Sequence, residues 1–156
     1  MSIHVVLVEP EIPPNTGNIA RSCAATGAVL HLVKPLGFSI DDKSLKRAGL
    51  DYWPHVRLKL HESLGAFLSE YAGSRMFLAT TRAERIYTAV DFRDGDMILF
   101  GRETAGLPDS LIEENREKTI RIPMSSETRL RSLNLANSVN IILFEALRQQ
   151  GFPDLR

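Results

Sequence analysis

The chain has 156 residues, and its 19 basic and 19 acidic side chains give a formal net charge of zero. A zero balance counts against a protein that coats nucleic acid through general charge attraction, because such domains are usually strongly basic. Hydrophobic residues make up 44% of the chain, so we expect one globular domain over residues 1–156 with a core that needs neither a disulfide nor a metal.

The sequence also bears on where the protein works. No apolar run approaches the roughly 20 residues that span a bilayer, and the first residues lack the basic segment of a signal peptide. Cys23 is the single cysteine, so no internal disulfide can form. We therefore expect a cytoplasmic protein.

Short apolar runs bounded by Gly, Pro, Asp or Lys predict five strands. They cover residues 3–8, 29–33, 76–80, 97–100 and 119–122. Helical patterns fall at residues 17–26, 44–49, 62–72, 107–116 and 133–150. Because strands and helices alternate, and most strands are continuously apolar, we expect an α/β fold: an open, mostly parallel sheet with helices on both faces. The stretch 36–57 is the least regular and is typical of a surface insertion that serves recognition.

The last predicted helix is more apolar than one contact with a core requires. Its apolar residues fill an arc of roughly 200° on a helical wheel. Such a helix is either central to the fold or shared with a second subunit. Asn140 lies inside the apolar arc, so we expect it to be buried and hydrogen-bonded. A structural role and a role at an interface or site both remain open for it.

Several familiar motifs are incomplete. Residues 101–108, GRETAGLP, have the glycine spacing of a phosphate-binding loop, but Leu107 stands where the lysine is required. No G-x-G-x-x-G follows a strand, so the dinucleotide fingerprint is missing. The four histidines lack ligand spacing, and no metal site is expected. His4 and His31 lie inside strand-like runs, which favours structural roles.

Three polar or glycine-rich segments each follow a predicted strand. They span residues 15–22, 101–108 and 124–137. In an open parallel sheet, loops at the carboxyl ends of strands gather in one crevice, so we expect these segments to converge. The first contains Arg21 in a helix that Asn15 or Thr16 is suited to cap. The second contains Glu103, which either orients Arg21 or caps the following helix.

None of these side chains is a powerful nucleophile. The site is therefore expected to bind one ligand through backbone groups and to hold an anionic substrate with arginines. For Arg21 alone, a surface salt bridge to Glu9 or Glu11 is the simpler interpretation. On the α/β pattern alone, a flavodoxin-like cofactor protein is also compatible.

Three stretches resemble, in order, the motifs of the SpoU-type branch of the SPOUT RNA methyltransferases. They are NTGNIARS (15–22), LFGRETAGLP (99–108) and IRIPM…RSLNLANSVNIILFEALRQ (120–149). EPEIPPNTGNIAR (9–21) and GFSIDDKSLKRAGLDYW (37–53) are similar to a small subfamily that methylates the ribose of the wobble nucleoside, cytidine or modified uridine, in certain leucine tRNAs. The resemblance spans essentially the whole chain.

The resemblance implies several properties of the protein. The family fold is an α/β sheet whose C-terminal part forms a deep trefoil knot. Members transfer a methyl group from S-adenosyl-L-methionine, release S-adenosyl-L-homocysteine and use no metal. They are homodimers in which the last helix packs against its partner, and tRNA is the expected substrate. An enzyme that methylates ribose at another RNA site and a non-catalytic RNA-binding relative are the alternatives.

The family motifs also assign roles to particular positions. By resemblance, the cofactor contacts are Ala79, Gly101, Ile122, Ser132 and Leu133. Arg21 is the catalytic residue at the ribose, where it stabilises developing negative charge, and Asn15, Arg129 and Arg131 contact the substrate. Two features depart from the subfamily pattern. Residues 125–130 form a longer segment, which affects the register of Arg129 and Arg131, and Phe144 replaces an aromatic residue with a hydroxyl.

Overall fold

The computed structural model describes residues 2–41, 43, 47, 52–130 and 132–156. Within these residues, six strands form one sheet in the order β3-β2-β1-β5-β4-β6, and their ladders are all parallel. The strands are β1 (His4–Val8), β2 (Val29–Val33), β3 (Arg57–His61), β4 (Met76–Ala79), β5 (Met97–Phe100) and β6 (Thr119–Ile120). The α/β prediction is therefore confirmed.

Helices cover both faces of this sheet. They are α1 (Pro13–Thr26), α2 (Leu64–Glu70), α3 (Asp109–Glu114) and α4 (Leu135–Gln149). On one face Val5 packs in a cluster with Ile19 of α1 and Val139 of α4. On the other face Val6 packs with Phe67 of α2, and α3 covers the same side. Successive residues of β1 thus enter two different cores, which explains why the strand is apolar at every position.

Strand β3 was not predicted from the sequence. Its residues, RLKLH, alternate charged and apolar side chains, and Arg57 and Lys59 are exposed. The strand pairs with β2 and forms one edge of the sheet. Charged side chains at such an edge discourage pairing with another chain. The predicted helix at 44–49 lies outside the described residues, except for residue 47.

Helix α1 begins at Pro13 rather than at residue 17. Pro13 and Pro14 occupy its first two positions, where a missing N–H costs little because no intrahelical partner exists there. Asn15 and Thr16 lie inside the helix, so the prediction that one of them caps it is wrong. The residue at the N-cap is Ile12, and the helix has no side-chain cap.

The outer face of α4 carries two unusual positions. The Oδ1 atom of Asn140 is buried but has no hydrogen-bond partner among the described residues, so the predicted hydrogen bond is wrong. Phe144, one turn later, is 44% exposed. None of the helices in the described part of the chain is long and apolar enough to cross a membrane.

Candidate active site

A cavity of about 470 Å³ opens at the carboxyl ends of β4 and β5. Its volume falls within the roughly 300–1,000 Å³ typical of small-molecule sites. Apolar side chains from β5, β6 and the loop after β5 form part of its lining: Phe100, Leu107 and Ile120. Arg102 and Asn134 add polar groups. The cavity lining therefore suits a ligand that has both apolar and polar parts.

All five positions assigned as cofactor contacts line this cavity. They are Ala79, Gly101, Ile122, Ser132 and Leu133. Ala79 ends β4, Gly101 follows β5, and Ile122 lies just after β6. Since β5, β4 and β6 are neighbours in the sheet, the parallel arrangement delivers these residues to one edge. The segment before α4 then closes the cavity from the other side.

The loop after β5 folds back on itself. The Gly106 N–H donates a hydrogen bond to the Arg102 carbonyl (2.8 Å). A Cβ atom at Gly101 would overlap the backbone of Gly106 and Leu107. Gly106 has a φ of 71°, in the left-handed region that favours glycine. Both glycines are thus needed for the shape of this cavity wall.

Glu103, in this loop, binds the segment that leads into α1. Its carboxylate accepts the N–H of Glu11 (2.8 Å) and the N–H of Ile12 (3.2 Å), just before the helix. In return, the Glu11 carboxylate accepts the Thr104 N–H (3.1 Å) and hydroxyl (2.7 Å). These bonds hold the pKa of the Glu11 carboxyl below its ordinary value. Among the described residues Glu103 neither contacts Arg21 nor caps the following helix, so both predicted alternatives are wrong.

Asn15 connects this arrangement to the start of α4. Asn134 Nδ2 donates to Asn15 Oδ1 (3.0 Å), and Asn15 Nδ2 lies 3.5 Å from Glu103 Oε1. Asn134 also caps α4, because its Oδ1 accepts the N–H groups of Ala136 and Asn137. We call Glu11, Asn15, Glu103, Thr104 and Asn134 the loop clamp. It ties together all three segments that were expected to converge.

Arg21 does not lie among the described residues that line the cavity. It sits six residues after Asn15, about 9 Å further along the α1 axis. The side chain is exposed, and the described residues include no hydrogen-bond or ion-pair partner for it. The alternative salt bridge to Glu9 or Glu11 is therefore absent. Its guanidinium carbon instead lies 4.8 Å from the centre of the Tyr52 ring.

Of the two later arginines, only Arg129 is among the described residues. Arg129 is exposed, and its Nε lies 3.1 Å from Glu127 Oε1. It is not one of the described cavity-lining residues. Arg131 lies outside the described residues. The structure thus gathers the predicted cofactor contacts and Asn15 at the cavity, but not Arg21 or Arg129.

Four groups on the α2 side of the sheet form a second polar network, which we call the histidine line: His4, His31, His61 and Glu70. His4 Nδ1 lies 2.8 Å from His31 Nε2, and His31 Nδ1 lies 2.9 Å from His61 Nε2. His61 Nδ1 lies 3.4 Å from a Glu70 carboxylate oxygen. Burial lowers the pKa of all three histidines, that of His31 to about 3. The three histidines are therefore uncharged at neutral pH, and we interpret the line as structural.

The described residues support neither a cysteine nucleophile nor a metal site. Burial raises the pKa of the Cys23 thiol to about 12, so the thiol stays protonated and is not a nucleophile. No group of three or more His, Cys, Asp or Glu side chains in the described ranges is arranged to hold a metal ion.

Comparisons with known proteins agree with this geometry. Residues 2–144 match the model of the SpoU rRNA Methylase family. The chain is 50% identical to a putative tRNA (cytidine(34)-2'-O)-methyltransferase of Bacillus subtilis (strain 168), covering 100% of this chain and 98% of that protein. It is 47% identical to the tRNA (cytidine(34)-2'-O)-methyltransferase of Escherichia coli (strain K12), covering 97% and 96%.

Solved structures show the same likeness. One described as "Structural insights into the 2-OH methylation of C/U34 on tRNA" aligns with a TM-score of 0.90 at 48% identity, covering 96% of this chain and 97% of that one. An AdoMet-bound rRNA methyltransferase from Sinorhizobium meliloti aligns with a TM-score of 0.83 at 27% identity, covering 94% of this chain and 56% of that one. The chain belongs to the SpoU rRNA methylase family.

Proposed function

We propose that the protein transfers a methyl group from S-adenosyl-L-methionine to the ribose 2′-oxygen of nucleoside 34, cytidine or modified uridine, in leucine tRNAs. The observation that carries the proposal is the meeting of five assigned cofactor positions in one cavity. The names of the Bacillus and Escherichia relatives support tRNA and position 34. The AdoMet-bound neighbour supports the cofactor, and no metal takes part.

The residues of the cavity fit this cofactor. The apolar side chains of Phe100, Leu107 and Ile120 would suit its adenine ring, and the polar groups of Arg102 and Asn134 would suit its charged amino-acid part. When bound, it supplies a methyl group already activated on a sulfonium. Ala79, Gly101, Ile122, Ser132 and Leu133 hold it, and the loop clamp fixes the walls around it. Holding the reacting atoms in line contributes up to about 7–11 kcal/mol to such reactions.

Arg21 acts on the acceptor side in this proposal. A protonated guanidinium has five N–H donors and no acceptor, so it cannot itself remove the ribose proton. It donates hydrogen bonds to the 2′-oxygen or the neighbouring phosphate and stabilises the negative charge that proton loss leaves. The proton leaves through phosphate or water. Asn15 and the two later arginines, Arg129 and Arg131, contact the RNA.

We further propose a homodimer in which the ribose binds between subunits. Three observations support it: Phe144 and Leu133 are exposed, Asn140 Oδ1 is buried without a partner among the described residues, and Arg21 lies away from the cavity of its own subunit. The family resemblance adds a trefoil knot in the C-terminal part, a single domain over residues 1–156 and a cytoplasmic location, where tRNA is modified.

The test is transfer of radioactive methyl from S-adenosyl-L-methionine to leucine tRNA transcripts with cytidine or uridine at position 34. The matched control is the same transcript with 2′-deoxyribose at that position. We expect label only in the first. We also expect Arg21→Ala to bind S-adenosyl-L-homocysteine like the unchanged protein in calorimetry, yet to transfer methyl at least about 100-fold more slowly, as for loss of an oxyanion donor.

Other outcomes separate the alternatives. Label at another nucleoside would identify a different RNA site, and binding of RNA without any binding of S-adenosyl-L-homocysteine would indicate a non-catalytic relative. For the dimer, sedimentation should give twice the mass of one chain. Phe144→Glu should shift the protein towards the monomer. A monomeric unchanged protein that is fully active would contradict the dimer.

A further inference from the structure

The Tyr52 ring lies beneath the guanidinium of Arg21, with 4.8 Å between the guanidinium carbon and the ring centre. This distance is well within the roughly 6 Å over which a cation is attracted to the face of an aromatic ring. Tyr52 lies in the stretch that joins β2 to β3, far from Arg21 in the sequence. Neither residue lines the cavity among the described residues.

The position of Tyr52 is fixed by its surroundings. Tyr52 is half-buried, and its carbonyl accepts the His55 N–H (2.9 Å), which closes the tight turn Trp53–His55. Trp53 in this turn packs against the same core cluster as α1. The ring is thus part of a turn anchored to the core. A moving loop would not hold a partner in one place.

The contact also explains how Arg21 stays available. A carboxylate partner would occupy the N–H donors of the guanidinium and offset its charge, whereas an aromatic face attracts the cation and leaves those donors free. A free exposed arginine loses rotamer entropy when it engages a ligand. Restricting the side chain beforehand removes part of that cost.

We propose that Tyr52 is a positioning residue: the face of its ring holds the Arg21 guanidinium where it meets the ribose of the RNA. The inference rests on the proposed role of Arg21 as the catalytic residue. The aromatic ring matters and the hydroxyl does not. Tyr52 therefore affects methyl transfer through Arg21, with no effect on the cofactor.

The experiment compares Tyr52→Leu, which keeps apolar bulk without a ring, with Tyr52→Phe, which keeps the ring. In single-turnover assays on position-34 tRNA, Tyr52→Leu should slow methyl transfer by about 2- to 30-fold, the range set by one cation–π contact. Tyr52→Phe should recover most of the rate. Calorimetry should find the same affinity for S-adenosyl-L-homocysteine in both variants.

A double-mutant cycle separates positioning from general damage. If Tyr52 acts only through Arg21, then Tyr52→Leu should slow an Arg21→Ala enzyme no further. An equal loss in both backgrounds, a failure of Tyr52→Phe to recover the rate, or no loss at all would overturn the inference. Phe77→Leu is the matched control. It removes the ring beneath Arg75 (4.9 Å) and should lower stability without this pattern.

A readout without catalysis distinguishes this inference from the proposed function. The Arg21 side-chain protons should show upfield ring-current shifts by nuclear magnetic resonance in the unchanged protein and in Tyr52→Phe, and should lose them in Tyr52→Leu. If Arg21→Ala retains full activity, the proposed catalytic role fails and Tyr52 cannot act through it. If Arg21→Ala is inactive but the shifts are absent, only the positioning inference fails.

Discussion

The loop clamp and the histidine line are both polar networks that join distant segments of the chain, yet their surroundings differ. The loop clamp lies at the carboxyl edge of the sheet, and Asn15, Glu103 and Asn134 line the cavity. The histidine line crosses β1, β2 and β3 beneath α2. There, Phe67 and Tyr71 lie edge-on to the ring of His31, with centroids 5.8 and 5.3 Å away.

The difference shows that the surroundings of a polar network determine whether it stabilises the fold or shapes a binding site. If His61 Nδ1 donates its proton to Glu70, His61 Nε2 is free to accept the proton of His31 Nδ1. His31 Nε2 then accepts the proton of His4 Nδ1, so the buried His31 uses both ring nitrogens within the line. The polar groups of such a network bond to one another, and the network contributes to the stability of the fold. The loop clamp instead holds a cavity open between three segments. Loss of the loop clamp should weaken ligand binding more than it lowers the free energy of unfolding.

On the clamp side, we expect Gly101→Ala to weaken cofactor binding. The added Cβ would overlap the backbone of Gly106 and Leu107, so the loop that carries Glu103 must move. Overpacking of this kind costs about 1–3 kcal/mol, which corresponds to S-adenosyl-L-homocysteine binding that is about 5- to 150-fold weaker. Calorimetry measures this. Gly73→Ala, which meets open space, is the control, and equal effects of both changes would contradict the assignment.

The next effect should appear on stability alone. His31→Leu keeps an apolar side chain against Phe67 but leaves ring nitrogens of His4 and His61 without their partner. We expect the free energy of unfolding to fall by about 2–4 kcal/mol in urea titrations, with cofactor affinity unchanged. His55→Leu, at an exposed histidine outside the line, should change it little. Weakened cofactor binding in His31→Leu would contradict the separation between a structural histidine line and a ligand-binding loop clamp.

The histidine line also predicts a pH dependence. An unfolded histidine binds a proton below about pH 6.5, whereas the folded His31 does so only near its pKa of about 3. Between these values the unfolded state binds more protons. The free energy of unfolding should therefore fall as the pH is lowered, by up to about 1.4 kcal/mol per pH unit for each histidine. In His31→Leu this slope should be shallower, and an unchanged slope would remove His31 as its cause.

The smallest effect concerns an exposed bond of the clamp. Thr104→Val removes the hydroxyl that donates to Glu11 (2.7 Å), while the backbone donor remains. Because that hydroxyl is the main cause of the lowered pKa of Glu11, the carboxyl should titrate at a higher pH, nearer its ordinary value. Carboxyl resonances followed against pH measure this. The titration of Glu113, lowered by Arg116 elsewhere, should stay the same.

Much of the fold could be predicted because burial imposes simple patterns. The strands at 29–33 and 97–100 have the predicted bounds, since every residue in them is buried. Strand β3 was not predicted because it lacks a continuous apolar run. Only its last residue, His61, is buried, as is usual for a strand at the edge of a sheet. The predicted helix at 17–26 began too late because Pro13 and Pro14, which suit the first helical positions, belong to α1.

The candidate site was predictable in part. Topology brought the three expected segments together because they follow β1, β5 and β6, which are parallel strands of one sheet. The partner of Glu103 could not be predicted, since no local pattern signals a hydrogen bond between residues 92 positions apart. The Tyr52 contact with Arg21 and the histidine line depend likewise on tertiary placement. Single histidines in three separate strands carry no signal in the sequence. They form a network only when the strands pair in the sheet.

The bond from Asn134 to Asn15 has a consequence for biosynthesis. It joins residues 119 positions apart, and Asn134 begins the helix that packs against α1. While the ribosome is still making residues 100–130, β1 and α1 are already exposed, but a wall of the cavity does not yet exist. A nascent chain arrested before residue 132 should therefore be unable to retain cofactor. Ligand binding becomes available only in the last moments of synthesis, after the most distant pairing has formed.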